Sequence, residues 1–284
     1  LIAKTGIFPV LADFTVKVVI KRMACAMKYF FESIKNIPFW RVILAAVLLF
    51  CMAYGSYSAL AVYGQPSIQE TILIGLNNVT TMLFYVILLL VVSDFGFKNN
   101  RPAAKTSHKK YGNALVFALI VCLVFETIYI VSCFLILLLT GGSIKFADMF
   151  TDITLNGLEW MSPTPAMVIS IFLFFLRFVF LTCLVTAINS RSRKAPYGYA
   201  AGFAVCLIDA IAYYHFGLSD PIGVFPFEHS FLESALRLTR DMPLDIIISV
   251  LYWFALIATA GFIYDTGIRK NPDKEVRLHE SHHF

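Results

Sequence analysis

Six apolar stretches, each close to the length needed to cross a bilayer, leave this chain one class of fold. They run from Val42 to Tyr63, Thr71 to Val92, Asn113 to Thr140, Ala166 to Ile188, Gly198 to Phe216 and Leu244 to Tyr264. Roughly 20 apolar residues span the hydrocarbon core as a helix. No water is available there to satisfy backbone N–H and C=O groups, so such a run must close its hydrogen bonds within itself. The expectation is an all-α, polytopic membrane protein with six transmembrane helices. The 284 residues are 59% hydrophobic and 14% charged, against about 25% charged in a soluble domain. The connectors are too short for a second folded unit. Residues 1–41 read as a cytoplasmic interfacial helix and elbow, 42–265 as one transmembrane domain and 266–284 as a cytoplasmic tail.

The basic residues give an orientation, because cytoplasmic connectors are enriched in Lys and Arg. With the N-terminus inside, nineteen of the 23 Lys and Arg fall on the cytoplasmic side and three, Lys145, Arg237 and Arg240, fall outside. The remaining one, Arg177, lies within a span. Both termini are therefore expected in the cytoplasm. The net charge of +5 is then a topology signal and not a nucleic-acid footprint, since no basic face is backed by a soluble fold. No cleavable secretory signal is expected, because no short apolar core precedes a small-residue cleavage site. Five of the six cysteines fall in spans (Cys51, Cys122, Cys133, Cys183, Cys206) and Cys25 precedes them, with no CxxC pair. They read as small hydrophobes, not as a disulfide framework.

Val10 to Lys35 has a different pattern. Asp13, Lys17, Lys21, Lys28, Glu32 and Lys35 fall on one narrow helical face, opposite Phe14, Val18, Val19, Met23, Met27, Phe30, Phe31 and Ile34. This fits an amphipathic helix in the cytoplasmic interface, or one packed on neighbouring protein. Asn36, Pro38 and Trp40 then form an elbow into the first span. The connector Gly141 to Pro165 is acidic (Asp148, Asp152, Glu159) and is expected to carry a short external helix. Gly217 to Pro243 mixes Pro221, Gly223 and Pro226 with an amphipathic piece, Glu228 to Arg240, too short to span. It reads as short external re-entrant helices.

Glu126, Arg177 and Asp209 are ionisable groups deep within spans. Each stands 13 residues from its expected cytoplasmic boundary at Asn113, Ser190 or Pro196, about 20 Å along a helix. Charge at that depth requires a partner. Arg177 pairs with Glu126 or with Asp209, and the pair either locks the bundle or serves substrate contact or a proton path. Gly198 and Gly202 form a small-xxx-small step for close helix approach, within the chain or at a dimer seam.

Several formal motifs fail on context. His279-Glu280-Ser281-His282-His283 matches a zinc-protease pattern but ends a polar tail with no later ligand. The sequon Asn78-Val79-Thr80 lies inside an expected span. There is no GxxxxGK[ST] phosphate loop and no recognisable Ser/His/Asp set, so an enzyme is not expected. No period of self-similarity relates the two halves, which weighs against an inverted-repeat carrier.

The layout resembles that of type-2 ABC exporter permeases, the membrane half of many bacterial efflux systems, from about Val10 to Val276. The fourth span closes as LVTAINSRSRKAPYGYAAGF, Leu184 to Phe203, like the small-residue and serine-basic turn of that family. FPFEHSFLESALRL, Phe225 to Leu238, resembles its external re-entrant helices, and FIYDTGIRKNPDKE, Phe262 to Glu275, its basic exit into the cytoplasm. The connector between the third and fourth spans is longer than is common in the family. The resemblance implies a bacterial inner-membrane permease paired with a second permease, identical or related. Cytoplasmic ABC ATPase subunits dock on a coupling connector containing Lys98, Arg101, Lys105, Lys109 and Lys110. ATP and Mg belong to those partners, and this chain binds no cofactor. The cargo would be hydrophobic or amphiphilic: a lipid, glycan, peptide or antibiotic. Two competing expectations are a proton-coupled carrier using Glu126 or Asp209, and a non-transporting membrane anchor or regulatory subunit.

Overall fold

A computed structural model describes residues 39–62, 64–77, 85–87, 107–141, 144, 146, 161–192, 195–216, 223–239 and 241–269. All regular structure among the described residues is helical. The long helices are α1 (Phe39–Ala61), α3 (Ser107–Leu139), α4 (Pro163–Ser192), α5 (Ala195–Phe216) and α7 (Met242–Arg269). Between them lie α2 (Ile68–Leu76), a 3-10 turn (Pro226–His229) and the single turn α6 (Leu232–Ala235). Each of the five long helices contains a segment long and apolar enough to cross a membrane. The expected first, third, fourth, fifth and sixth spans are therefore present as helices. A chain with five such segments is a membrane-embedded protein, for the backbone reason given above.

The expected second span differs. Its helix starts earlier, at Ile68, because Ser67 caps it. Ser67 Oγ accepts from the Glu70 N–H at 3.2 Å while Glu70 Oε2 accepts from the Ser67 N–H at 3.0 Å, a reciprocal capping box. The helix ends at Leu76 because Asn77 turns its polar groups back on it: Asn77 N–H and Nδ2 both donate to Leu73 O, at 2.8 and 2.9 Å. Nine residues rise only about 14 Å, half a hydrocarbon core. A further helical stretch covers 85–87; the rest of that expected span lies outside the described residues, as does the sequon.

Other boundaries move outward. α3 begins at Ser107 instead of Asn113, and α4 begins with Pro163. Proline is well placed there, since the first turn has no N–H bond to lose. Phe39 and Trp40 form the first turn of α1, with the Arg41 guanidinium 5.3 Å from the Trp40 ring centroid. The amphipathic stretch 10–35, the acidic residues of the 141–165 connector and the tail from 270 lie outside the described residues. The connector expected to carry short helices has, among its described residues, the 3-10 turn followed by α6.

α4 is the hub. It packs most extensively on α7 and also touches α5, α3 and α2, whereas α1 rests on α3 and α2. Of the apolar window of α4, 72% is buried inside the protein, against 22% for α1. Val42, Ile43, Val47, Phe50 and Tyr54 of α1 are exposed, an apolar surface suited to lipid. Two glycines set close approaches. A Cβ on Gly75 would collide with the Tyr129 hydroxyl, and one on Gly198 with the Asn189 side chain and Val185 O. The Gly198–Gly202 step is therefore an intrachain contact of α5 with the end of α4, where the Gly198 N–H donates to Asn189 Oδ1 at 2.6 Å.

Candidate functional site

Polar chemistry gathers where α4, α5 and α7 meet the segment 223–239. α4 delivers Arg177 and α5 delivers Asp209, both 2% exposed, and their side chains form an ion pair through Nη2 and Oδ2. Of the two partners the sequence offers Arg177, the structure selects Asp209. The segment completes the pair. Arg177 Nη1 donates to Ser230 Oγ at 2.9 Å, and the Phe227 N–H donates to Asp209 Oδ1 at 2.7 Å. Ser230 Oγ donates onward to Pro226 O at 2.6 Å, and the guanidinium lies 5.7 Å from the Phe231 ring centroid. Desolvating two ions costs more than their attraction returns unless the remaining lone pairs and protons are bonded. Here the segment supplies those bonds.

α7 grips the same segment from its other side. Asp245 Oδ1 accepts from the N–H and Oγ1 of Thr239, at 2.7 and 2.6 Å. Tyr252 donates to Val224 O at 2.9 Å and Trp253 Nε1 to His229 O at 3.0 Å. Glu228, 1% exposed, accepts the Val224 and Phe225 N–H groups at 2.8 and 2.7 Å. His229 stacks on Tyr252 with ring centroids 3.9 Å apart. Its Nε2 faces the Gly223 carbonyl at 3.1 Å and its Nδ1 faces Ser249 Oγ at 3.1 Å. A carbonyl only accepts, so Nε2 carries the proton and Nδ1 accepts from the serine. Burial holds the His229 pKa below the ordinary imidazole value of 6.5. From α2, Asn77 Oδ1 accepts the Leu232 N–H at 3.0 Å, and its Nδ2 reaches Ser170 Oγ at 3.3 Å. Four helices thus fasten one short segment, α2, α5 and α7 through its backbone and α4 through the Ser230 hydroxyl.

Glu126 lies elsewhere. It is 8% exposed and lines a cavity of about 10 Å³ with Leu49, Met52, Tyr85, Tyr129 and Phe178 among its neighbours. That is room for one water molecule. Both tyrosine hydroxyls are already committed. Tyr85 bonds Thr182 Oγ1 at 2.7 Å and Phe178 O at 3.2 Å. Tyr129 bonds the Thr71 and Ile72 carbonyls, each at 3.4 Å. Among the described residues Glu126 Oε1 has no hydrogen-bond partner.

Lys98, Arg101 and Lys105 of the basic connector lie outside the described residues, while Lys109 and Lys110 fall in the first turn of α3. Cys51, Cys122, Cys133, Cys183 and Cys206 are free thiols, in keeping with their reading as hydrophobes. Among the described residues no three His, Cys, Asp or Glu gather as metal ligands. The residues missed from sequence are Asn77, His229, Ser230, Asp245 and Trp253. Asn77 carried a signal, an amide inside an apolar run. The others are ordinary connector residues until the fold places them against one another. The chain matches no protein-family model, no curated protein and no solved structure.

Proposed function

We propose that this chain is the transmembrane permease subunit of an ATP-driven exporter resembling the type-2 ABC class. It works in a bacterial inner membrane with both termini cytoplasmic. A second permease, identical or related, lies beside it. Cytoplasmic ATPases dock on the connector containing Lys98, Arg101, Lys105, Lys109 and Lys110, and hold the ATP and Mg. The cargo is hydrophobic or amphiphilic.

One observation carries most weight in favour of this reading. The segment 223–239, which the charge distribution assigns to the outer side, is not a loose connector. Phe227, Glu228, His229, Ser230, Phe231 and Leu232 are each at most 3% exposed. A re-entrant plug tied to α4 and α5 through a buried ion pair, and to α7 through Asp245, Tyr252 and Trp253, moves with those helices as a unit. Rocking them from the cytoplasmic side shifts the outer seal, which is the coupling an exporter driven from below requires. Of the two residues the proton-carrier alternative would use, Asp209 is engaged by Arg177 and the Phe227 N–H. Purification of the tagged chain in mild detergent, with mass analysis of bound proteins, tests the reading. A companion bearing a phosphate-loop motif is expected. A chain that purifies alone and transports in response to a proton gradient overturns it.

A further inference from the structure

The cavity beside Glu126 has the chemistry of a cation site. Its walls present four aromatic rings, from Tyr85, Phe125, Tyr129 and Phe178, and one carboxyl group whose Oε1 lacks a partner among the described residues. Aromatic faces attract cations, and an unpaired carboxyl in an apolar wall gains most from an opposite charge. Among the described residues no basic side chain lines the cavity; Arg177, the deep cation of α4, is bound to Asp209 instead. The size is restrictive. A volume of about 10 Å³ admits a group as large as one water molecule. A primary ammonium has that size and a quaternary ammonium does not. Leu49 and Met52 of α1 form one wall, and α1 is the least enclosed of the five long helices. An alkyl chain attached to the ammonium would have to pass between the Leu49 and Met52 side chains to reach the exposed apolar face of α1.

We propose that Glu126 and its aromatic cavity bind the primary ammonium head of an amphiphile, with the alkyl tail lying along α1. This deepens, and rests on, the reading of the chain as a permease for amphiphilic cargo.

The test uses the purified full chain in mild detergent, with decylammonium as probe and intrinsic tyrosine and tryptophan fluorescence as readout. Decylammonium saturates the wild type, while decanol and decyltrimethylammonium bind roughly tenfold more weakly or worse, and Glu126→Gln weakens decylammonium by a similar factor. Equal binding of the three probes to the wild type overturns the site, and that comparison stands even if Glu126→Gln fails to fold. Equal decylammonium affinity in the wild type and a folded Glu126→Gln overturns it as well. Either failure leaves co-purification with an ATPase untouched, so the site and the permease reading fail separately.

Discussion

Arg177 and Asp209 are bonded to each other and to the 223–239 segment; around Glu126 the lining is apolar or already engaged. On the sequence the two residues stand equally deep, 13 positions from their expected boundaries. In the fold, Arg177 meets Asp209 and a serine from the 223–239 segment, whereas Glu126 meets a one-water cavity. Buried ionisable groups meet two kinds of surroundings in this bundle. The paired cluster is a fastening, since its bonds hold a segment, while Asp245 Oδ2 and Ser234 Oγ beside it have no partner among the described residues. The unsaturated carboxyl remains open to a ligand. Depth within a span does not distinguish the two; the count of partners does.

The sharpest way to break this contrast is to remove one ion. Arg177→Leu leaves Asp209 buried and uncompensated, and should cost about 3–5 kcal/mol. Replacing Asp209 by Leu as well should recover part of that loss. Denaturation in mild detergent measures both, and a double variant no more stable than Arg177→Leu would show that the pair is not a unit. Asn77→Ala should cost less, about 1–3 kcal/mol, by stranding the buried Leu232 N–H that Asn77 Oδ1 accepts. An unchanged melting temperature would mean the segment is not fastened from α2.

His229 gives a smaller effect with a defined sign. Burial lowers its folded pKa below 6.5, so the unfolded chain takes up a proton first as pH falls. Its contribution to stability is complete above pH 6.5 and lost as pH falls through the lower folded value. Melting temperature should therefore fall on acidification from neutral, and His229→Gln should flatten that slope. Smallest of all, Glu126→Gln should change stability by less than about 1 kcal/mol, since no partner bond is lost. A large loss there would place Glu126 with the fastening residues and erase the contrast.

Much of the helical frame was legible in the sequence because apolar length alone dictates it. The five long helices fall where the runs of apolar residues fall, with ends displaced by capping residues such as Pro163. The second run starts and breaks where its average hydropathy conceals two local signals. Ser67 and Glu70, three apart, form a capping box, and Asn77 is an amide able to end a helix. The Arg177–Asp209 pair was legible only as one of two choices, since depth cannot decide which helices face each other. The anchors that α7 sets on 223–239 were not legible at all. They act through backbone groups of a segment with no period of its own, and only the packing of α4, α5 and α7 brings them to it.

The central claim is that motion in this chain is driven by a nucleotide-hydrolysing companion gripping the basic connector. ATP hydrolysis by the affinity-purified chain tests it most directly. The account predicts hydrolysis that co-purifies with the wild type and disappears when Lys98, Arg101, Lys105, Lys109 and Lys110 are together replaced by serine, with the variant still folded in the membrane. A folded wild-type chain purified without any hydrolysing partner, or a variant that keeps its partner undiminished, would contradict it.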